Sequence, residues 1–236
     1  MPAFDGTVSP LFPLPGSLAG RRSGNSAALP AGRTEFWMRI LLIVAILLAG
    51  AVGTIRPAAA HPHIFIDARA IFHMERGKVV AITQHWTFDA VFGGVVIHAF
   101  DRNRDGRLDA GEAELVRRGA FDALKGLNYF TVVRIGREEL KLDRVTGFAA
   151  SVVDGRLAYR FKVALPRPVD PRADNPAFLF VDKTYYVAVE LQKQSPVTFA
   201  GAAPAGCRTV MRDDFENPIY FDLVVPRMLN FDCPAG

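Results

Sequence analysis

The sequence has no glycine-rich phosphate loop, no Ser, His and Asp set that reads as a nucleophilic triad, and no catalytic cysteine motif. It therefore lacks the common signatures of nucleotide-dependent and hydrolytic enzymes. Cysteine is scarce: Cys207 and Cys233 are the only two. In an oxidising compartment an even pair reads as one disulfide, here closing a loop of 26 residues. On the chain-entropy view that is worth ~3–4 kcal/mol; the alternative is two free buried thiols. A long apolar run is missing too, because residues 40–52 are unbroken but too short for a comfortable membrane span. No internal repeat or low-complexity segment follows residue 60.

Residues 40–52 fit a secretory leader instead. Met38 and Arg39 supply a short basic start, and Ala58, Ala59 and Ala60 supply the small residues that a signal peptidase needs. Residues 1–37 are rich in Gly, Pro, Ser and Ala without apolar periodicity, and read as a mis-called start or a disordered extension. Residues 38–60 are then a signal peptide, and the expected location is periplasmic. Cleavage after Ala60 leaves 176 of the 236 residues, a single domain over 61–236. The first 60 residues hold five of the 28 basic and two of the 24 acidic side chains. The remainder carries 23 against 22, a net charge of only +1. That balance does not support a nucleic-acid partner.

Segment 101–112 has the residues of a complete EF-hand calcium loop. Asp101, Asn103 and Asp105 offer short oxygen-bearing side chains at loop positions 1, 3 and 5. Gly106 stands where the chain turns sharply. Arg107 contributes its carbonyl, Asp109 ligates directly or through water, and Glu112 is long enough to bind through both oxygens. The flanks have apolar residues at helical spacing over 88–100 and 110–124, so the whole unit spans about 89–125. No second such loop occurs, which argues against a paired sensor; Leu108 is then expected to pack on the host domain. Arg102, Arg104 and Arg107 repel a dication. A site of ~10⁻⁴ to 10⁻³ M would still fill outside the cytoplasm, in a mainly structural role.

The rest of the mature chain reads as strands. Residues 63–72 and 79–88 form a hairpin, 131–142 turn at Gly136, and 144–153 and 157–165 turn about Asp154 and Gly155. Residues 166–176 read as a loop, 178–191 as one or two strands, and 195–236 as turn-rich with a short strand at 220–225. The expected class is α+β and β-rich: an antiparallel β-sandwich-like domain with a helix–loop–helix insertion.

His61, Pro62 and His63 would form the mature N-terminus. A free α-amine titrates near 7.7–8.0 and can chelate together with the His61 ring. Pro62 has no N–H, which blocks the amide-ligated copper and nickel mode but leaves a histidine brace open. A hairpin turning about Arg76 sets Asp67 opposite His85 and His63 opposite Asp89. His61, His63, Asp67, His85 and Asp89 would then share one face, a donor set suited to Ni²⁺, Co²⁺, Zn²⁺ or Cu²⁺. A one-residue slip destroys that set. His73 and His98 sit apart from this set and read as ordinary, non-ligating residues, and the acidic run at Asp213, Asp214 and Glu216 as a surface loop.

Several segments together resemble a bacterial family of unknown function known as the periplasmic component of an uncharacterised ABC-type transport system. They are His61 to Asp67, His85-Trp86-Thr87-Phe88-Asp89, Phe100 through Glu112, Tyr129-Phe130-Thr131, Asp182-Lys183-Thr184-Tyr185-Tyr186, and Cys207. The resemblance implies an inner-membrane metal permease of the nickel/cobalt type as partner. At 176 residues the mature chain is too short for a two-lobed solute-binding protein. The resulting expectation is a calcium-binding accessory or substrate-binding component of a transition-metal transport system, not an enzyme. A copper-binding protein or histidine-brace oxidase, and a structural calcium-binding envelope protein, are the alternatives.

Overall fold

The computed structural model describes residues 38–43, 62–194 and 196–234. Residues 38–43 are helical and belong to a unit separate from the one that begins at Ala59. Among the described residues no helix is long and apolar enough to cross a membrane.

The second unit is β-rich and has two sheets. The first has the strand order β5-β6-β2-β1-β8, from β1 (Ile64–Glu75), β2 (Lys78–Phe88), β5 (Arg144–Val153), β6 (Arg156–Val169) and β8 (Val187–Leu191). A further strand, β9 (Val197–Ala200), also pairs with β1. The second sheet has the order β10-β11-β7-β3-β4, from β3 (Thr131–Ile135), β4 (Glu138–Glu139), β7 (Ala177–Phe180), β10 (Arg208–Asp213) and β11 (Arg227–Asp232). Along β1 the even-numbered side chains, Ile66 through Met74, are buried and the odd ones face outward. Phe72 meets Phe178 and Phe231 of the other sheet edge-on at 4.8 and 5.9 Å, and Trp86 stacks on Phe130 at 5.7 Å. These aromatic contacts bring the inner faces of the two sheets together, as in a β-sandwich.

The first sheet is mixed, because β8 and β9 both run parallel to β1. Parallel pairing needs a long crossover; between β1 and β8 lie β2 through β7 and the helix–loop–helix, and no local sequence signal announces it. Strand β6 runs on through Pro166 and Pro168 to Val169, where a loop was expected. The segment 220–225 is a turn and not a strand. Tyr220, Phe221 and Asp222 all have positive φ, and Ile219 and Val224 form only an isolated bridge. The strands of that region are β10 and β11. Cys207 and Cys233 are joined in a disulfide at their open end, beside the pair Arg208 and Asp232.

A helix–loop–helix stands between β2 and β3. Helix α1 (Ala90–Phe100) begins at Asp89, whose side chain caps the amides of Val91 and Phe92. At Gly93 an added Cβ would lie 3.2 Å from Leu157 Cβ, so α1 rides directly on β6. Helix α2 (Ala110–Val116) starts on a reciprocal capping box between Asp109 and Glu112. It continues as a π turn over Arg117–Phe121 and a 3₁₀ stretch over Asp122–Phe130. That run ends with Asn128, Tyr129 and Phe130 at φ of 50°, 53° and 51°. The left-handed conformation costs ~1–2 kcal/mol per residue. Burying the two aromatic rings returns ~1.5–3 kcal/mol each, so packing offsets the strain. Tyr129 and Phe130 are 5% and 4% exposed.

Candidate functional site

The loop 101–109 between α1 and α2 is shaped by its own side chains. Asp101 accepts from the amides of Asp105 (3.2 Å) and Gly106 (2.9 Å). Asn103 Oδ1 accepts from Asp105 N at 2.9 Å, and Asp105 Oδ1 from Arg107 N at 2.8 Å. Glu112 reaches back across the loop. Its Oε1 accepts from the amides of Arg102 (2.7 Å) and Asn103 (3.3 Å), and its Oε2 from Asp109 N (3.0 Å). Gly106 sits at φ +76° with open space around it, so glycine is required there by conformation and not by room. Leu108 packs against the hydrophobic core, alongside Phe148, Ala149 and Ala150.

Asp101, Asn103, Asp105, Asp109 and Glu112, with the Arg107 carbonyl, form an all-oxygen set on one short loop. That is the donor chemistry a hard cation takes. Their carboxylates are turned to the loop's own amides. Among the described residues no three His, Cys, Asp or Glu side chains converge as a metal cage. Each carboxylate oxygen has two lone pairs. Side-chain rotation over a backbone already in its turn is the change that gripping an ion requires.

The predicted histidine and carboxylate face is arranged differently from the expectation. Asp67 lies opposite Thr87, and His85 lies opposite Arg69. The turn is centred between Arg76 and Gly77, one step from the assumed position, and a bulge between His73 and Met74 adds another. The side chains keep their face, but each partner moves two residues along the strand, roughly 7 Å. Phe65, not His63, faces Asp89. The two exchange Asp89 N to Phe65 O at 2.9 Å and Phe65 N to Asp89 Oδ2 at 3.0 Å.

A cation already serves the two carboxylates. Arg156 donates to Asp67 Oδ2 at 3.1 Å and to the Phe88 carbonyl at 2.8 Å, and its charge acts on Asp89. Burial works to raise the Asp89 pKa. The amides of Phe65, Phe92 and Val91, with the Arg156 charge, outweigh it and hold that carboxyl below its ordinary value. His63 rests against Tyr186, ring centroids 4.8 Å apart. His61 lies outside the described residues. His73 Nε2 is 2.8 Å from Thr83 Oγ1, and His98 is exposed in the last turn of α1.

Other groups were not visible from spacing alone. Buried Gln84 ties the sheets together, donating to Thr131 Oγ1 at 2.5 Å and accepting from Trp86 Nε1 at 2.8 Å. Asp182 is 4% exposed and holds the turn into β8 by accepting from Thr184 N (2.9 Å), Thr184 Oγ1 (2.8 Å) and Val187 N (3.1 Å). Asp214, read above as part of a surface acidic loop, is 2% exposed and accepts from Arg134 at 2.6 Å. Its neighbour Asp213 does stay at the surface, 3.9 Å from Arg227.

Comparison with known proteins places these features in a family. An "Uncharacterized 15.5 kDa protein in trpE 3'region" of Spirochaeta aurantia is 36% identical over 97 residues, 41% of this chain and 69% of that protein. An uncharacterised protein of Haemophilus influenzae is 24% identical over 143 residues, 60% of this chain and 68% of its own length. The family model described as "Protein of unknown function (DUF1007)" matches residues 44–218, which take in the helix–loop–helix, the Asp182 turn and all but the last strand. The chain belongs to that family.

Proposed function

We propose that this is an exported calcium-binding accessory protein that works beside a transition-metal permease of the inner membrane. One observation carries the calcium half. Segment 101–112 gathers oxygen donors at six loop positions around a glycine-dependent turn, and the last donor, Glu112, is 5% exposed and folded back over the loop. In this reading the loop is a single EF-hand, and Leu108 anchors it to the domain in place of a second hand. Calcium replaces loop amides as the partner of Asp101, Asp105 and Glu112, and its role is to lock the helix–loop–helix onto the sheets. Calorimetry at millimolar calcium tests this, with binding at ~10⁻⁴ to 10⁻³ M as the expected result. A protein whose heat signal and melting temperature ignore calcium at those levels would overturn it.

The transport half rests on the family resemblance and on the HPH start. Arg156 donates to Asp67 Oδ2 and its charge acts on Asp89, and His85 stands opposite Arg69, six residues along β1 from His63, so the ligands proposed for Ni²⁺, Co²⁺, Zn²⁺ or Cu²⁺ are the terminal amine, His61 and His63. A chain beginning at His61 should bind these ions more tightly than one with Gly-Ser added in front. Equal affinity of the two chains would remove the amine from the site.

A further inference from the structure

The calcium reading leaves the outer face of the first sheet without a role, and that face is basic. The ladders set Arg69 of β1, His85 of β2 and Arg160 of β6 in one row across three strands. The next row along holds Ile71, Thr83 and Lys162. Arg160 and Lys162 stand two residues apart on one face of β6, and Arg69 lies on the far side of His85, so this part of the face gathers positive charge. The nearest carboxylates on the same sheet are Asp67 and its register partner Glu190, one step along from the Arg69 row. Among the described residues neither Arg160 nor Lys162 makes an ion pair, and Arg69 donates its Nε to the neutral Gln192 Oε1. Asp67, the nearest carboxylate on β1, is engaged by Arg156. Burial, then the charges of Arg160 and Arg69, hold the His85 imidazole below its ordinary pKa.

The row lies in a groove of about 680 Å³, within the range of small-molecule sites. Its lining includes the aliphatic or small side chains of Ile71, Ala149, Ala158 and Val153, with Ser151 among them. Neighbouring strands are roughly 4.8 Å apart, so Arg69 and Arg160 flank His85 across roughly 10 Å. Two guanidinium groups on long stems can close that distance on one oxyanion. We propose that this groove binds an organic oxyanion, a carboxylate or phosphate monoester with a short aliphatic body, with its head on the Arg69–His85–Arg160 row. Arginine forks take the charged oxygens, His85 and Ser151 add hydrogen bonds, and the body lies over Ala149, Ala158 and Val153.

Calorimetry of the full chain with butyl phosphate and with inorganic phosphate tests this. Saturable 1:1 binding of butyl phosphate, tighter than that of inorganic phosphate, is expected. Arg69→Gln and Arg160→Gln should each weaken it roughly tenfold or more, whereas Lys141→Gln, an exposed cation outside the groove, should leave it unchanged. Ser151→Tyr fills the groove without changing charge and should abolish binding while the melting temperature holds. His85 faces Asp67 and Arg69 on β1 and Arg160 and Lys162 on β6. Its NMR titration midpoint should move up when the groove is saturated. No saturable binding at millimolar ligand would overturn the proposal. So would equal losses in Lys141→Gln and Arg160→Gln, or inorganic phosphate matching butyl phosphate.

Discussion

The turn at Asp182 and the loop at 101–112 are both built by carboxylates that accept backbone amides, yet they leave different things over. Asp182 is buried, and both its oxygens are taken by Thr184 and Val187. Nothing on it remains for a ligand. The loop spreads its amide bonds over five side chains, Asp101, Asn103, Asp105, Asp109 and Glu112, most of them exposed. There acceptor capacity exceeds what the backbone uses. A carboxylate that shapes a turn is therefore structural when its donors saturate it and it is dry. It is a candidate ligand when it keeps lone pairs and has neighbours of its own kind.

That contrast can be broken by substitution. Asp182→Ala should cost the most, roughly 2–4 kcal/mol, because the part-buried amide of Thr184 and the buried amide of Val187 lose their acceptor at ~1–3 kcal/mol each. Urea denaturation should report that loss equally with and without calcium. Rescue by calcium would mean that the two turns are not independent.

Glu112→Gln should cost ~1–3 kcal/mol of calcium-free stability, because one of the two oxygens that accept the loop amides becomes a donor, but its larger effect should appear with calcium. Wild type should gain ~2.7 kcal/mol when calcium stands at 100 times Kd, and the variant should gain nothing. Thermal melts of the two proteins across a calcium series make the comparison. Gly106→Ala should cost ~1–2 kcal/mol without calcium, from forcing a Cβ into the left-handed region, and should weaken calcium binding as well. A variant with unchanged stability would show that the turn had relaxed to another conformation.

Asp89 sharpens the comparison from a third side, being half-buried with three amide donors and one cation. Asp89→Ala should cost roughly 0.5–2 kcal/mol at neutral pH through loss of the helix cap. Its folded pKa is depressed, so its contribution is present above the unfolded value of ~3.9 and is lost as pH falls through the lower folded value. In acid titrations of stability, the wild type and the variant should start to converge as pH falls below the ordinary Asp value of ~3.9 and meet only below the depressed folded value.

Local chemistry made the helix–loop–helix, the Asp154–Gly155 hairpin and the disulfide partners legible in the sequence. In each, the signal lies within a short stretch or an obligatory pair. The histidine and carboxylate face was legible as a face but not as a set. A bulge at His73 and Met74 moves the register without leaving a mark in the composition. Arg156 could not be foreseen between Asp67 and Asp89, because that contact spans 89 residues of chain and depends on how β6 docks on β2. The parallel pairing of β8 and β9 was hidden for the same reason. Strands β10 and β11 were masked by the prolines, glycines and aspartates around them, although the cysteines bracketing them were in view.

The bond between Cys207 and Cys233 has a consequence for a cut chain. The segment between β10 and β11 exposes Phe215, Phe221 and Leu223, the kind of site a protease takes. A nick there separates the polypeptide but not the molecule, since the sulfur bridge lies at the opposite end of the β10–β11 ladder. The nicked protein should run as one band on a gel without reductant and as two with it. In the oxidised form β11 should keep its place between β10 and β7 after the cut.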